Sequence, residues 1–147
     1  MFSITSRLKF NRIFKPVNET HCRYRVVLGS AGSGKSVNVA QDFILKLSDT
    51  KYTGANLLVI RKSEGTNRYS TFAELQAVIF RMCGEYWEDF WIINSSRLMI
   101  TSKITGNSII FRGVNDKKQR EKLKSITFPK GKLVWDMDRR SYRAGRS

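Results

Sequence analysis

The fold is decided by the stretch Gly29-Ser30-Ala31-Gly32-Ser33-Gly34-Lys35-Ser36, which has the G-x-x-x-x-G-K-[ST] spacing of a phosphate-binding loop, or Walker A motif. Residues 24–28 before it are rich in β-branched and aromatic side chains, which predicts a short strand. Residues 37–47 after it are predicted to form a helix. A strand, a glycine loop and a helix in this order are the context in which such a match binds a nucleoside triphosphate.

Each part of this loop has a physical role in holding phosphates. Glycines permit positive φ angles and a close approach of the backbone to a ligand. Successive N–H groups of the loop and of the first helical turn form an anion nest, to which the positive end of the helix dipole contributes. Lys35 is predicted to reach the β- and γ-phosphates of ATP, and Ser36 to offer its hydroxyl to Mg²⁺. We therefore expect an ATP and Mg²⁺ site, with Lys35 as a catalytic residue.

The chain after the loop predicts a parallel α/β sheet. Residues 55–60 form an apolar run typical of a buried parallel strand, and a strand, a helix and a second strand make a right-handed crossover unit. Arg61 follows this run at the carboxyl end of the strand, where α/β sheets place their ligand crevices. Residues 71–82 carry apolar side chains at helical spacing, opened by a capping box of Thr71 and Glu74 and closed by Gly84.

Short strands are predicted further along, at residues 90–93, 97–101 and 108–112, with another starting at residues 132–135. Apolar residues at alternate positions of 97–101 and 108–112 indicate a half-solvated hairpin. The expected fold class is therefore α/β: a P-loop NTPase of the RecA-like kind. Its parallel sheet is flanked by helices and incomplete within this chain, and it carries a small β-hairpin insertion.

The charge of the chain indicates a polyanionic partner. Its 147 residues suffice for one domain and include 27 Lys and Arg against 12 Asp and Glu, a net charge of +15. A nucleic acid is the first candidate, and a solvated basic surface is the alternative. Contact with a phosphate backbone and simple solvation remain equally open for the densest basic cluster, which comprises Lys117, Lys118, Arg120, Lys122 and Lys124.

Cysteine usage and hydropathy indicate a cytoplasmic protein. Cys22 and Cys83 have no metal or redox spacing, which favours a reducing compartment. The sequence contains no run of 18 apolar residues and no signal peptide, so we expect neither a membrane partner nor secretion.

Several segments in order resemble the large subunit of phage terminases, in the PBSX-like branch, over roughly residues 10–135. Besides the loop, the resemblance rests on Val59-Ile60-Arg61-Lys62, Ser70-Thr71-Phe72-Ala73-Glu74-Leu75-Gln76, Ile110-Phe111-Arg112-Gly113-Val114-Asn115-Asp116 and Glu121-Lys122-Leu123-Lys124-Ser125-Ile126.

The resemblance implies an ATP-driven motor that threads double-stranded DNA into a procapsid in the host cytoplasm of a bacterium. It also implies a homo-oligomeric ring, a terminase small subunit and a portal as partners, and a nuclease domain that this chain lacks. Family loops often have an arginine early in the loop, where this chain has Ala31. Arg61 is therefore a candidate for sensing the nucleotide or contacting a neighbouring site, and a surface arginine is the alternative.

The chain departs from the family pattern after Trp135. Family members continue with a sequence like Ile-Trp-Ile-Glu-Glu-Ala-Thr-Glu-Leu, whereas this chain continues Asp136-Met137-Asp138-Arg139-Arg140-Ser141-Tyr142-Arg143-Ala144-Gly145. Codons exist for which a one-base deletion converts the second sequence into the first. Our hypothesis is a basic arm at 1–23, a partial ATPase domain at 24–135 and an out-of-frame tail at 136–147. Sequencing the gene across codon 136 tests it.

Three functional hypotheses follow. The first is the ATP-binding part of a terminase large subunit with weak or no turnover, because the carboxylates that hold Mg²⁺ and orient water are expected to be missing. The second is another P-loop ATPase of the helicase or recombinase type. The third is a non-catalytic basic protein that binds nucleic acid.

In the basic arm, Phe10 or Phe14 either covers the nucleotide base or belongs to the core.

Overall fold

The computed structural model describes residues 10–19, 34–61, 63, 65, 67–114 and 117–138, with only the backbone at residues 17, 35, 119, 120, 124, 136 and 138. Its sheet has five strands in the order β2-β3-β4-β1-β5. They are β1 (Ala55–Arg61), β2 (Trp91–Asn94), β3 (Met99–Ser102), β4 (Ser108–Gly113) and β5 (Lys132–Asp138). β1 runs parallel to both β4 and β5, and β2, β3 and β4 form an antiparallel meander. The prediction of an α/β fold with a parallel sheet and a small hairpin is confirmed in this coarse form.

The described helices are α1 (Lys15–Glu19), α2 (Lys35–Ser48), α3 (Ala73–Cys83), α4 (Trp87–Phe90) and α5 (Lys117–Lys122). One face of the sheet carries the main core, in which Leu57, Val59 and Phe111 are fully buried with the apolar sides of α2 and α3. Every helix in the described ranges is too short or too polar to span a bilayer.

One segment, residues 117–128, crosses the opposite face of the sheet, and we refer to it as the strap. Leu58, Ile60 and Ile110 point to this face and pack against Ile126 and Phe128, which lie between α5 and β5. The expected half-solvated hairpin is therefore wrong for β4, because residues 108–111 are buried on both faces. Alternation in the sequence identified one buried face of β4, but only the strap buries the other.

The predicted capping box at Thr71 and Glu74 is also wrong. A π-helical turn, Asn67–Phe72, leads directly into α3, so the backbone at the helix start is already helical. A capping side chain needs an extended backbone at the cap position, and Thr71 lies inside the turn with its side chain buried. The helix ends at Gly84 as predicted, with a positive φ of 58°.

β5 continues past residue 135, where the sequence analysis ended the ATPase part. Its backbone pairs with β1 in parallel register up to Asp138, which lies opposite Ile60. Trp135 and Met137 pack against the core that α2 shares. Residues 136–138 therefore belong to the sheet, because backbone pairing with β1 does not require an apolar side chain at every position.

Candidate nucleotide-binding site

Helix α2 begins immediately after Gly34, in the stretch for which the sequence predicts phosphate binding. Gly34 has φ 84° and ψ 3°, a left-handed conformation that glycine adopts without the steric cost of a Cβ. The first helical hydrogen bond runs from the Asn38 N–H to the Gly34 carbonyl at 2.9 Å. Gly34, the N-cap residue, has no side chain with which to cap the helix, and the first turn holds no acidic residue. The positive end of the α2 dipole is thus not neutralised by a carboxylate of its own first turn.

The sequence-predicted site residues at this end are only partly described. Ser36 is half-buried in the first turn of α2, and Lys35 is the first helical residue. Gly29, Ser30, Ala31, Gly32 and Ser33, together with the strand predicted at residues 24–28, lie outside the described residues.

The basic arm packs against the start of α2. Phe14 is buried, and its ring atom Cε2 lies 3.8 Å from the position that a Cβ on Gly34 would occupy. One turn further along, the side chains of Asn18 and Asn38 exchange two hydrogen bonds, at 2.9 and 2.8 Å. Phe14 is therefore buried beside the residue that precedes α2. The sequence analysis missed the asparagine pair, because two polar residues 20 positions apart give no local signal.

Arg61 lies where the sequence placed it, at the carboxyl end of β1. Thr105, just before β4, donates to the Leu47 carbonyl at 2.6 Å, so the last turn of α2 lies at the amino end of the sheet and its first turn lies toward the carboxyl end. The Arg61 guanidinium donates to the Ser70 hydroxyl at 3.1 Å, and the Arg61 carbonyl accepts from the Val114 N–H at 2.8 Å. Arg61 is therefore held at the carboxyl edge of the sheet by the π-helical turn and the end of β4.

Asn67 is a buried residue at the same edge that the sequence analysis did not single out. Its Nδ2 donates to the carbonyls of Arg112 at 2.7 Å and Val59 at 3.4 Å, so one amide joins the ends of β4 and β1. The Asn67 Oδ1 atom is buried without a hydrogen-bond partner among the described residues. Nothing in the spacing of residues 63–70 indicates a π-helical turn.

The predicted basic cluster falls on α5 and the short turn after it. Lys117, Lys118 and Lys122 are exposed, and so is Glu121 on the same helix. Arg120 and Lys124 belong to the same segment, of which the structure describes the backbone at these two positions. Because Leu123 and Ile126 anchor the segment on the sheet, the exposed lysines lie on the outside of the strap.

Comparison with known proteins places the chain in a family. The family model described as "Phage terminase large subunit" matches residues 21–137. The chain is also 34% identical over 110 residues to the "Terminase, large subunit" of Bacillus phage SPP1, an alignment that covers 74% of the chain and 24% of the relative. The chain thus spans about a quarter of the relative's length. With the resemblance confirmed over most of its residues, the chain belongs to the phage terminase large subunit family.

Proposed function

We propose that this chain is the ATP-binding part of a motor that packages double-stranded DNA into phage procapsids. The observation that carries the proposal is the start of α2, where a left-handed Gly34 without a capping side chain precedes a helix with no carboxylate in its first turn. Backbone N–H groups and the helix dipole at such an end favour a phosphate group. Membership of the terminase family supports the choice of ATP over other anions.

The proposed roles follow the matched residues. The backbone of residues 29–36 cradles the phosphates, Lys35 contacts the β- and γ-phosphates, and Ser36 offers its hydroxyl to Mg²⁺. The half-buried Ser36 in the first turn and the absence of a competing carboxylate there fit this arrangement. When bound, Mg²⁺ supplies charge that balances the phosphates, and the protein residues position the nucleotide.

Binding of MgATP to the purified chain tests the proposal. Lys35→Ala should weaken binding by about 10- to 100-fold, the equivalent of one hydrogen bond to a charged group. Lys46→Ala is the matched control, because Lys46 lies in the last turn of the same helix and pairs with Asp42 at 2.8 Å. Equal affinities for the wild type and the Lys35 variant would overturn the nucleotide site and favour the non-catalytic hypothesis.

We further propose that the isolated chain hydrolyses ATP weakly or not at all. In P-loop ATPases a carboxylate at the end of a neighbouring strand holds Mg²⁺ and another group orients the water. The apolar strand with paired acidic residues that the family carries after Trp135 is replaced here by a strand containing Asp136 and Asp138. Robust phosphate release that both Lys35→Ala and Asp138→Asn abolish would contradict this proposal and assign the metal-binding role to Asp138.

The partners of the intact motor are proposed from the family alone. They are double-stranded DNA, a terminase small subunit, a portal on the procapsid and further copies of the large subunit in a ring. Arg61 is the proposed residue for sensing the nucleotide or a neighbouring site, since it is held at the same edge of the sheet as the start of α2. The proposed location is the cytoplasm of the bacterial host.

A further inference from the structure

The edge of the sheet opposite the nucleotide site carries a second cluster of cations. Four exposed lysines lie there on three separate segments that precede parallel strands: one before β1, one before β4 and two at the start of β5. We refer to them as the lysine edge: Lys51, Lys103, Lys130 and Lys132. The hydrophobic pattern of the sequence does not reveal this cluster, because 79 positions separate Lys51 from Lys130.

The geometry brings the lysine edge together. Since β4, β1 and β5 are neighbouring parallel strands, their amino ends lie side by side at spacings of about 4.8 Å. Lys132 is level with Ala55 in the register of β5 and β1. The Lys130 side chain crosses toward the β4 side, where its Nζ lies 3.8 Å from the position of a Cβ on Gly106.

Two buried asparagines hold the segments of the lysine edge in place. Asn56 donates to the carbonyls of Lys130 and Lys132 at 2.8 and 3.0 Å, and accepts from the Ser108 N–H at 2.7 Å. Asn107 donates to the Tyr52 carbonyl at 2.9 Å and accepts from the Gly54 N–H at 2.8 Å. Both asparagines have no exposed surface. The backbones that carry the lysines are therefore fixed relative to one another before any ligand binds.

The charge at this edge is not balanced locally. Residues 49–54, 103–107 and 129–132 contain the four lysines and a single carboxylate, Asp49. That carboxylate already accepts a hydrogen bond from the Lys51 N–H at 3.0 Å. Within the described part of the chain, no ion pair joins any of the four lysines to a carboxylate. Such a preorganised group of cations fits a ligand with several regularly spaced anions.

We propose that the lysine edge binds the phosphate backbone of duplex DNA, at a site separate from the nucleotide site. α2 has 14 residues and runs from the nucleotide end to this edge, so the two sites are about 20 Å apart. The choice of DNA as the polyanion rests on the proposed packaging function. The surface differs from the basic cluster on α5, which has a glutamate on the same helix and lies on the outside of the strap.

Two variants with equal loss of charge test this assignment. The first replaces all four residues of the lysine edge by glutamine. The second, the matched control, makes the changes Lys117→Gln, Lys118→Gln, Lys122→Gln and Lys124→Gln. Binding to a fluorescently labelled short duplex is measured by anisotropy over a range of salt concentrations, and circular dichroism and thermal unfolding verify that both variants fold.

The lysine-edge variant should lose at least about tenfold in affinity at low salt, and the slope of log K against log salt should fall by about 3 to 4. The control should change both quantities much less. Equal losses in the two variants would mean that net charge alone attracts DNA, and a larger loss in the control would place the contact on α5. Either result overturns the proposal, as does binding to phosphatidylserine vesicles without binding to DNA.

MgATP affinity measured on the same samples separates this proposal from the nucleotide site. Both variants should bind MgATP as the wild type does, because none of the replaced lysines lies in the first turn of α2. If the wild type fails to bind MgATP but shows the expected DNA result, the proposed nucleotide site falls and the lysine edge stands. If the wild type binds MgATP but the DNA result is not the expected one, the lysine-edge proposal is wrong and the proposed nucleotide site is unaffected.

Discussion

The side-chain amides of Asn18 and Asn38 donate to each other's carbonyl oxygens, at 2.9 and 2.8 Å. Asn38 is buried on α2, two positions after Ser36, and Asn18 lies on the short helix of the basic arm. The arm is therefore joined by a specific polar contact to the first turns of the helix that opens at the proposed nucleotide site. Changes in the arm should for this reason affect the site.

Asn18→Ala should lower the free energy of unfolding by about 1–3 kcal/mol, because it leaves the buried Asn38 amide unpaired. The double variant Asn18→Ala and Asn38→Ala should cost less than the sum of the single changes, which a double-mutant cycle in urea measures. Asn11→Ala is the control, since Asn11 caps only an exposed turn of the same arm. Strict additivity would show that the two amides do not interact in solution.

Gly34→Ala should lower the stability of the helix start and the affinity for MgATP, through backbone strain and not through a steric clash. A left-handed φ costs a residue with a Cβ about 1–2 kcal/mol, whereas among the described residues the atom nearest to the new Cβ, Phe14 Cε2, is at an ordinary contact distance of 3.8 Å. We expect a lower melting temperature and weaker MgATP binding. Gly65→Ala is the matched control, because a Cβ there meets no atom of the described part of the chain within 4 Å and no positive φ is involved. Equal effects of the two changes would contradict a special role for the Gly34 conformation.

Asn56→Leu should be among the most destabilising single changes in the described core. It removes the partners of two carbonyls and one N–H at a position with no exposed surface, and each unsatisfied group costs about 1–3 kcal/mol. Chemical denaturation should show a loss of at least about 3 kcal/mol. Asn94→Ala serves for comparison, since Asn94 only accepts from the Arg97 N–H in an exposed turn. One ordinary hydrogen bond contributes about 1 kcal/mol. A smaller loss than this in the Asn56 variant would refute the bridging role.

Arg61→Ala should reduce MgATP affinity or, in an assembled ring, ATP turnover, if Arg61 senses the nucleotide from the carboxyl edge of the sheet. Arg68→Ala is the comparison, because Arg68 lies on the same π-helical turn but donates to the Ser95 carbonyl at 2.7 Å. The measurement is MgATP affinity and phosphate release for both variants. Identical values for the two variants and the wild type would identify Arg61 as a structural arginine that only holds the turn through Ser70.

Local sequence patterns predicted those elements that are determined by residues adjacent in the chain. The apolar run at residues 55–60 predicted β1, and the glycine at position 84 predicted the end of α3, because a strand core and a left-handed stop are set by adjacent residues. The start of α3 was wrong, since the π-helical turn is held by Asn67, which binds the ends of two strands. For β5 the sequence predicted only the start, and pairing with β1 holds residues 136–138 in the strand as well.

By itself the sequence determined the α/β class and the family, and it predicted a phosphate-binding stretch, because fixed spacing of glycine, lysine and serine and the order of apolar runs are properties of the chain. Only the tertiary structure decided which distant residues meet. It joined Asn18 to Asn38, placed Arg61 beside Ser70, and gathered the lysine edge. The physical reason is that parallel strands bring together the ends of segments far apart in the chain, and buried amides then fix contacts for which no local spacing exists.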